Sequence, residues 1–133
     1  MKTAVDTSVL LDVLRPDPHF GEASRRALRQ AYDTGALVAC DVVWAELRAH
    51  FPDEATFCRA TQQLGLGFDP IRPEAAAEAG RLWRERRRRG EGRDRVVADY
   101  LIGSHALLQA EALLTRDRGF FRTAFEGLQV ITP

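Results

Sequence analysis

Short apolar runs alternate with helix-like segments along the whole chain, and this alternation constrains the fold more than any other feature. Five runs are predicted to be strands: residues 2–5, 36–40, 67–71, 112–115 and 128–131. The segments between them place apolar residues at helical spacing and stop at glycine or proline. Strands that alternate with helices in this way predict an α/β protein in which helices cover both faces of a central, mostly parallel, five-stranded sheet.

Breakers and capping residues set the expected helix boundaries. The first two predicted helices cover about residues 8–15 and 20–34. The third begins at the N-cap Asp41 and runs through Glu46, and the fourth runs from Asp53 to Gly65. The fifth begins at Pro73 and ends in residues 86–90, and the sixth covers about residues 95–110 with Asp94 as its cap. The sequence contains no repeat, low-complexity segment or linker, so residues 1–133 are expected to form a single domain.

Composition sets few limits on the partners. Lys+Arg and Asp+Glu both total 19, so the net charge is zero and favours neither nucleic acids nor acidic proteins. No apolar run approaches the ~20 residues of a membrane span. Cys40 and Cys58 lack metal-type spacing, and no signal peptide is visible. The chain is therefore expected to be cytoplasmic, with both thiols reduced and structural.

Four acidic residues stand where a carboxylate is awkward for stability and useful for binding a cation. Asp6 and Asp117 follow the first and fourth predicted strands, at the edge where parallel sheets place functional groups. Glu46 and Asp99 lie within apolar helical patterns. An ionised carboxylate on an apolar face is costly to bury without a compensating positive charge. Because hard divalent cations prefer oxygen ligands, the set predicts a metal site.

Each of these acids also has a structural interpretation. Asp6 serves equally well as a strand-end cap, Glu46 as a solvated helix residue, and Asp117 as a turn former beside Gly119. Asp99 is harder to explain structurally, because apolar and small residues lie at helical spacings on its side.

Four stretches together resemble the PIN-domain family, and within it the VapC-type toxins of bacterial toxin–antitoxin pairs. They are A-V-D-T-S-V-L-L-D-V-L at 4–14, V-V-W-A-E-L at 42–47, A-D-Y-L-I-G-S-H-A at 98–106 and L-L-T-R-D-R-G-F-F at 113–121. The resemblance spans nearly the whole chain in the family's order, and the first and fourth stretches are the more specific. An Arg-rich segment before Asp99 and the run Gly103-Ser104-His105 depart from the family pattern but leave the four acids in place.

The resemblance implies a PIN-like three-layer α/β/α sandwich and Mg²⁺-dependent cleavage of RNA, leaving a 5′-phosphate and a 3′-hydroxyl, with Mn²⁺ as a substitute ion. Asp6 and Asp99 are the expected main ligands, and Glu46 and Asp117 would complete the catalytic set directly or through water. One ion, or a pair about 3.5–4 Å apart, can offset the charge of a phosphodiester and activate water. The resemblance also implies a homodimer and a neutralising VapB-type antitoxin whose segment lies across the acidic cleft.

Polar and basic residues near the acids are candidates for binding RNA. They are Thr7, Ser8, Thr115, Arg116 and Arg118, although local capping and turn formation explain the three hydroxyl groups equally well. The segment Arg81–Arg95 holds eight arginines against three acids, a local balance of +5. It is expected to be a solvated helix end, a phosphate-binding surface or a surface for an acidic partner. His105 is expected to be a partly buried structural residue.

Two other functions fit the residues less well. A non-catalytic RNA-binding protein on the same fold would be indicated by the loss of an acid, and all four are present. A phosphatase resembling the haloacid dehalogenases needs a second Asp two positions after the first strand-end Asp, where this chain has Ser8. A phosphate-cradling glycine-rich loop is also absent from the sequence.

Overall fold

The structure is a computed structural model that describes residues 1–91 and 95–133. Within these residues the strands are β1 (Lys2–Val5), β2 (Ala36–Ala39), β3 (Leu66–Phe68), β4 (Ala112–Leu114) and β5 (Val130–Ile131). The helices are α1 (Thr7–Leu14), α2 (Gly21–Thr34), α3 (Asp41–Arg48), α4 (Glu54–Leu64), α5 (Pro73–Arg88), α6 (Val97–Gln109) and α7 (Phe120–Ala124).

The strands form one sheet in the order β3-β2-β1-β4-β5, and each described pairing of neighbours is parallel. The prediction of an α/β protein with a mostly parallel five-stranded sheet is therefore confirmed. The chain moves outwards from β1 through β2 to β3, then crosses to β4 and β5 on the other side. Because crossovers between parallel strands are right-handed, this reversal places the two sets of connecting helices on opposite faces and gives three layers.

The two central strands, β1 and β4, supply the most deeply buried part of the sheet. Val5, Leu113 and Leu114 are almost completely inaccessible, as expected of strands covered on both faces. Helix α6 packs close to this core through Gly103, where an added Cβ atom would overlap the Phe125 ring. The close packing fixes the helix that carries Asp99, so it also positions a candidate site residue.

Several boundaries differ from the predicted ones. Strand β3 ends at Phe68 rather than near residue 71. The amide of Asp69 still donates to the carbonyl of Ala39 (2.9 Å), but Pro70 has no amide hydrogen with which to continue the ladder. Asp41 is the first residue of α3 and not its N-cap, which is Cys40, so that prediction is wrong by one position. The Asp41 carboxylate instead accepts a hydrogen bond from the amide of Ile71 (3.3 Å).

The last third of the chain shows further differences. Helix α6 begins at Val97 rather than near residue 95, and the predicted cap Asp94 lies outside the described residues. Strand β5 covers only Val130–Ile131 of the predicted run. Helix α7 was not expected, since a helix of five residues leaves too little periodicity to recognise in sequence.

The helices of the described residues are short, and the two cysteines differ in their exposure. None of the helices in residues 1–91 and 95–133 is long and apolar enough to cross a membrane. Both cysteines are free thiols. Burial raises the pKa of Cys40 to about 11, which disfavours the reactive thiolate and fits a structural residue. Cys58 is exposed, which does not fit the structural role expected for it.

An ionic cluster joins the start of β1, the residue after β3, and α6. The Asp69 carboxylate lies 3.0 Å from the Lys2 ammonium and 2.8 Å from Nε2 of His105. His105 is structural as expected, although it is fully rather than partly buried. Burial opposes ionisation of Asp69, but Lys2 and His105 outweigh it and hold the pKa of the carboxyl below its ordinary 3.8.

Replacing Asp69 by Asn should lower the free energy of unfolding by about 1–2 kcal/mol at neutral pH, since hydrogen bonds to charged groups are lost. The pKa of Asp69 is lower in the folded state than its ordinary value of 3.8, so the ionised carboxylate stabilises the fold fully at pH values above 3.8. The difference from the wild type should shrink as the pH falls below 3.8 through the folded-state pKa. Urea unfolding across this range measures it, with the exposed Asp33→Asn as control; an undiminished difference in acid would contradict the assignment.

Candidate metal centre

The site lies where the two halves of the sheet diverge. In β1 and β4, Val5 pairs with Leu114, so the carboxyl ends of the two strands lie side by side. The chain leaves these ends towards β2 on one side and β5 on the other, which creates a crevice at the sheet edge. Asp6 follows β1 directly, and its amide donates to the carbonyl of Leu114 (2.9 Å).

Asp6 is the N-cap of α1 and uses both carboxylate oxygens. Oδ1 accepts a hydrogen bond from the amide of Thr7 (2.8 Å), and Oδ2 accepts one from the hydroxyl of Thr115 (2.7 Å). Burial raises the pKa of Asp6, and the charges of Glu46 and Asp99 raise it further, against the effect of the two hydrogen bonds. Asp6 is thus a helix cap, and its carboxylate is also affected by the charges of two other carboxylates.

Thr115 connects the acids that follow the two central strands. Its side chain is fully buried; the hydroxyl donates to Asp6 and accepts a hydrogen bond from the amide of Asp117 (3.1 Å). Asp117 then shapes the turn into α7, because its Oδ1 accepts from the amides of Gly119 (2.9 Å) and Phe120 (2.8 Å). The turn-forming interpretation of Asp117 therefore holds, and the turn uses only one of the two carboxylate oxygens.

Glu46 reaches the site from α3. Its Oε1 accepts a hydrogen bond from the Thr7 hydroxyl (2.8 Å), so Thr7 contacts Asp6 through its amide and Glu46 through its side chain. Glu46 itself is exposed, unlike the buried carboxylate that the apolar pattern around it suggested. The prediction that Glu46 and Asp6 are brought together is nevertheless matched by the Thr7 bridge.

Asp99 lies in the first turn of α6, and an arginine joins it to Asp117. The Arg95 guanidinium contacts Asp117 Oδ2 through Nη2 (2.8 Å) and approaches Asp99 Oδ2 through Nη1 (3.9 Å). Burial would raise the pKa of Asp117, but the two turn amides and Arg95 together hold it below 3.8. Arg95 was not predicted as a site residue, although its spacing of four from Asp99 on a helical pattern was a usable signal.

The donor set suits a hard divalent cation in its chemistry. Asp6 and Asp117 follow the adjacent strands β1 and β4, and the charges of Glu46 and Asp99 both act on Asp6. As the side chains stand in the described residues, no three His, Cys, Asp or Glu residues form a ready-made cage for one ion. Binding therefore requires the carboxylates to be drawn together, and Asp6 with Asp99, assisted by Glu46 and Asp117, would hold the ion.

The predicted RNA-binding residues fall into two groups. Thr7 and Thr115 are buried and already support the acids, so they act through the carboxylates. Arg116 lies 2.9 Å from the buried Asp12 and stacks on the Phe20 ring at 4.2 Å, which ties it to the protein. Arg118 is exposed and Ser8 is half-buried, so both are accessible to a ligand.

The basic segment Arg81–Arg95 is less available than its charge suggests. Arg81, Arg86 and Arg89 form ion pairs with acids on or next to α5. Arg87 lies over the Trp83 ring at 5.1 Å. Arg93 and Asp94 lie outside the described residues. Much of the segment is thus a salt-bridged helix surface, and its last residue, Arg95, belongs to the acidic site.

Comparison with known proteins gives a family match and several similar structures. A family model, described as PIN domain, matches residues 3–126. No curated protein sequence matches the chain.

Three solved structures illustrate the structural likeness. One is VapBC2 from Rickettsia felis bound to a DNA fragment from its promoter, with a TM-score of 0.78 and 17% identity over 99% of this chain and 98% of that chain. VapBC-1 from nontypeable Haemophilus influenzae has a TM-score of 0.74 and 19% identity, over 99% of this chain and 98% of that chain. A toxin–antitoxin complex from Klebsiella pneumoniae has a TM-score of 0.69 and 19% identity, over 98% of this chain and 96% of that chain. At these identities the likeness concerns the fold.

Substitutions at Asp117 should separate its turn-forming role from its charge. Asp117→Asn keeps an oxygen for the amides of Gly119 and Phe120, whereas Asp117→Ala removes both hydrogen bonds. We expect the alanine variant to lose about 1–2 kcal/mol of unfolding free energy, as for lost capping residues, and the asparagine variant to lose clearly less. Urea unfolding measures both; equal losses would show that charge, and not the turn, dominates the contribution of Asp117 to stability.

Proposed function

The chain belongs to the PIN domain family, and we propose that it is a metal-dependent endoribonuclease that acts as the VapC-type toxin of a toxin–antitoxin pair. The observation that carries the proposal is the acidic crevice between β1 and β4. There Asp6 is half-buried, accepts hydrogen bonds from Thr115 and Thr7, and experiences the charges of Glu46 and Asp99. Like charges held close together at a strand edge destabilise the fold. A role in binding a cation for catalysis explains why the chain keeps them there.

Mg²⁺ is the proposed cofactor, with Mn²⁺ as a substitute, held mainly by Asp6 and Asp99. Such an ion, when bound, would offset the charge of a phosphodiester and supply an activated water. Glu46 and Asp117 would complete the site directly or through water. The Thr7 hydroxyl orients Glu46, and the Thr115 hydroxyl orients Asp6, so both threonines position ligands rather than react.

RNA is the proposed substrate, cut to leave a 5′-phosphate and a 3′-hydroxyl. Arg118 supports this proposal, because it is exposed beside Asp117 and, among the described residues, has no ion-pair partner. Guanidinium groups bind phosphate oxygens well, so Arg118 is the best-placed residue to hold the RNA backbone. Ser8, half-buried in the first turn of α1, could add a hydrogen bond to a phosphate.

A VapB-type antitoxin and a second copy of the chain are the proposed protein partners, in the cytoplasm. The three similar structures are described as VapBC or toxin–antitoxin complexes, which supports an antitoxin. Exposed apolar side chains, including Tyr32, Phe68, Val96 and Leu108, leave surface for such contacts. Co-expression with the product of a neighbouring gene, followed by light scattering, tests both associations; a lone monomer would contradict them.

Purified protein incubated with total bacterial RNA and Mg²⁺ should yield discrete fragments that disappear when a chelator is added. Asp99→Asn keeps the shape of the side chain but removes a ligand charge. We expect it to slow cleavage by roughly 100-fold or more, because even residues that only orient metal ligands contribute about 10–100-fold. Asp33→Asn, which removes an exposed carboxylate from α2, is the matched control and should cleave normally.

The ends of the fragments identify the reaction, since a 5′-phosphate-dependent exonuclease should digest the downstream products. Cleavage by Asp99→Asn at the wild-type rate would contradict the assignment of the site. RNA binding without any cleavage by the wild type, in the presence of metal, would instead favour a non-catalytic RNA-binding protein on the same fold.

A further inference from the structure

Arg95 occupies the place in the acidic crevice where a cation is needed. One arm of its guanidinium lies 2.8 Å from Asp117 Oδ2, and the other lies 3.9 Å from Asp99 Oδ2. The guanidinium carbon also stacks over the Phe120 ring, 4.5 Å from its centroid. Between 21% and 29% of each of the three charged side chains is exposed, so water screens their attraction only in part.

Both oxygens of the Asp117 carboxylate are engaged. Its Oδ1 accepts the amides of Gly119 and Phe120, while its Oδ2 is taken by Arg95. The ring of Phe120 holds the guanidinium from one side, and the carboxylates hold it from the other. Arg95 is therefore a specific counter-ion of Asp117 and Asp99, whereas the described ion pairs of the α5 arginines are made with Glu78, Glu85 and Glu91.

We infer that the Arg95 guanidinium is the resident counter-ion of the acidic site, and that a divalent metal ion binds only by displacing it from Asp99 and Asp117. The inference rests on the proposed function in one respect, since it takes the metal ion of that proposal as the competitor. It goes further by naming a residue of this chain that sets the affinity for the ion.

Displacement follows from the requirements of the two cations. Arg95 lies against two of the carboxylates that the ion would use, and two positive groups a few ångströms apart repel each other. The apparent affinity for metal is then reduced by the fraction of molecules in which Arg95 has left the carboxylates. Stacking on Phe120 keeps a displaced guanidinium close to the crevice, where the phosphate of a bound RNA would be its next partner.

Calorimetric titration of the metal-free protein with Mn²⁺ tests the competition without using RNA. Arg95→Gln removes the competing charge and should bind Mn²⁺ with a dissociation constant lower by about tenfold, as expected if about one wild-type molecule in ten is open. Arg95→Lys keeps the charge but replaces the two-armed group by a single ammonium, so its affinity should lie between the two. Arg84→Gln is the matched control, because it removes one exposed arginine of α5 and changes the net charge equally.

Nuclear magnetic resonance of the wild-type protein provides a second reading that a change in general charge would not produce. The Nε–H signal of Arg95, identified by its loss in Arg95→Gln, should shift during titration with Mg²⁺, with the same midpoint as metal binding. If Arg95→Gln does not fold without metal, Arg95→Lys and this wild-type titration decide the question.

The outcomes separate the inference from the proposed function. Equal Mn²⁺ affinities in the wild type and Arg95→Gln, a gain matched by Arg84→Gln, or an Arg95 signal unmoved at saturating Mg²⁺ would each overturn the inference and leave the ribonuclease proposal intact. Tighter metal binding by Arg95→Gln without RNA cleavage by either protein would support the inference and contradict the ribonuclease. Absence of metal binding in every variant would overturn both.

Discussion

Burial of the Asp6 carboxylate close to the charges of Glu46 and Asp99 governs how the rest of the site is built. Asp6 cannot be buried beside Glu46 and Asp99 without groups that stabilise negative charge, and the raised pKa of Asp6 shows that the stabilisation is incomplete. The chain supplies two threonine hydroxyls, several backbone amides and one guanidinium for this purpose. These groups hold the carboxylates in place while the charge remains partly uncompensated, which is the state that a dication stabilises.

The sheet order explains why residues so far apart in sequence meet. Placing β4 next to β1, with the chain then turning to opposite sides, puts Asp6, Thr115 and Asp117 on one rim. Helix α6 brings Asp99 to this rim because Gly103 lets the helix pack closely over the Phe125 ring. Thr7, at the start of α1, connects the rim to Glu46 on α3. The topology, the close packing of α6 and the two threonines together assemble the acidic site.

The sequence predicted the parts of this arrangement that depend on local pattern. Short buried runs ending in Asp6 and Asp117 mark strand ends, and the alternation of elements predicts the parallel sheet that brings such ends together. Arg116 shows the limit of local pattern, since the sequence makes it a candidate for binding RNA and does not reveal its contact with the buried Asp12. Contacts such as that one join distant segments, and no periodicity encodes them. The Arg95 contacts with Asp99 and Asp117 are of the same kind, although the spacing to Asp99 gave a partial signal.

A crystal of the protein soaked in Mn²⁺ and measured for anomalous scattering would test whether the acidic site binds a divalent ion, because it locates the ion without assuming a substrate. We expect a strong peak between Asp6 and Asp99, with carboxylate oxygens at about 2 Å, as for small divalent ions in proteins. We also expect that Glu46 and Asp117 lie in the coordination shell or one water away. A crystal saturated with Mn²⁺ that shows no peak in this crevice, or that binds its ion at another set of residues, would show that the four acids are not the metal site.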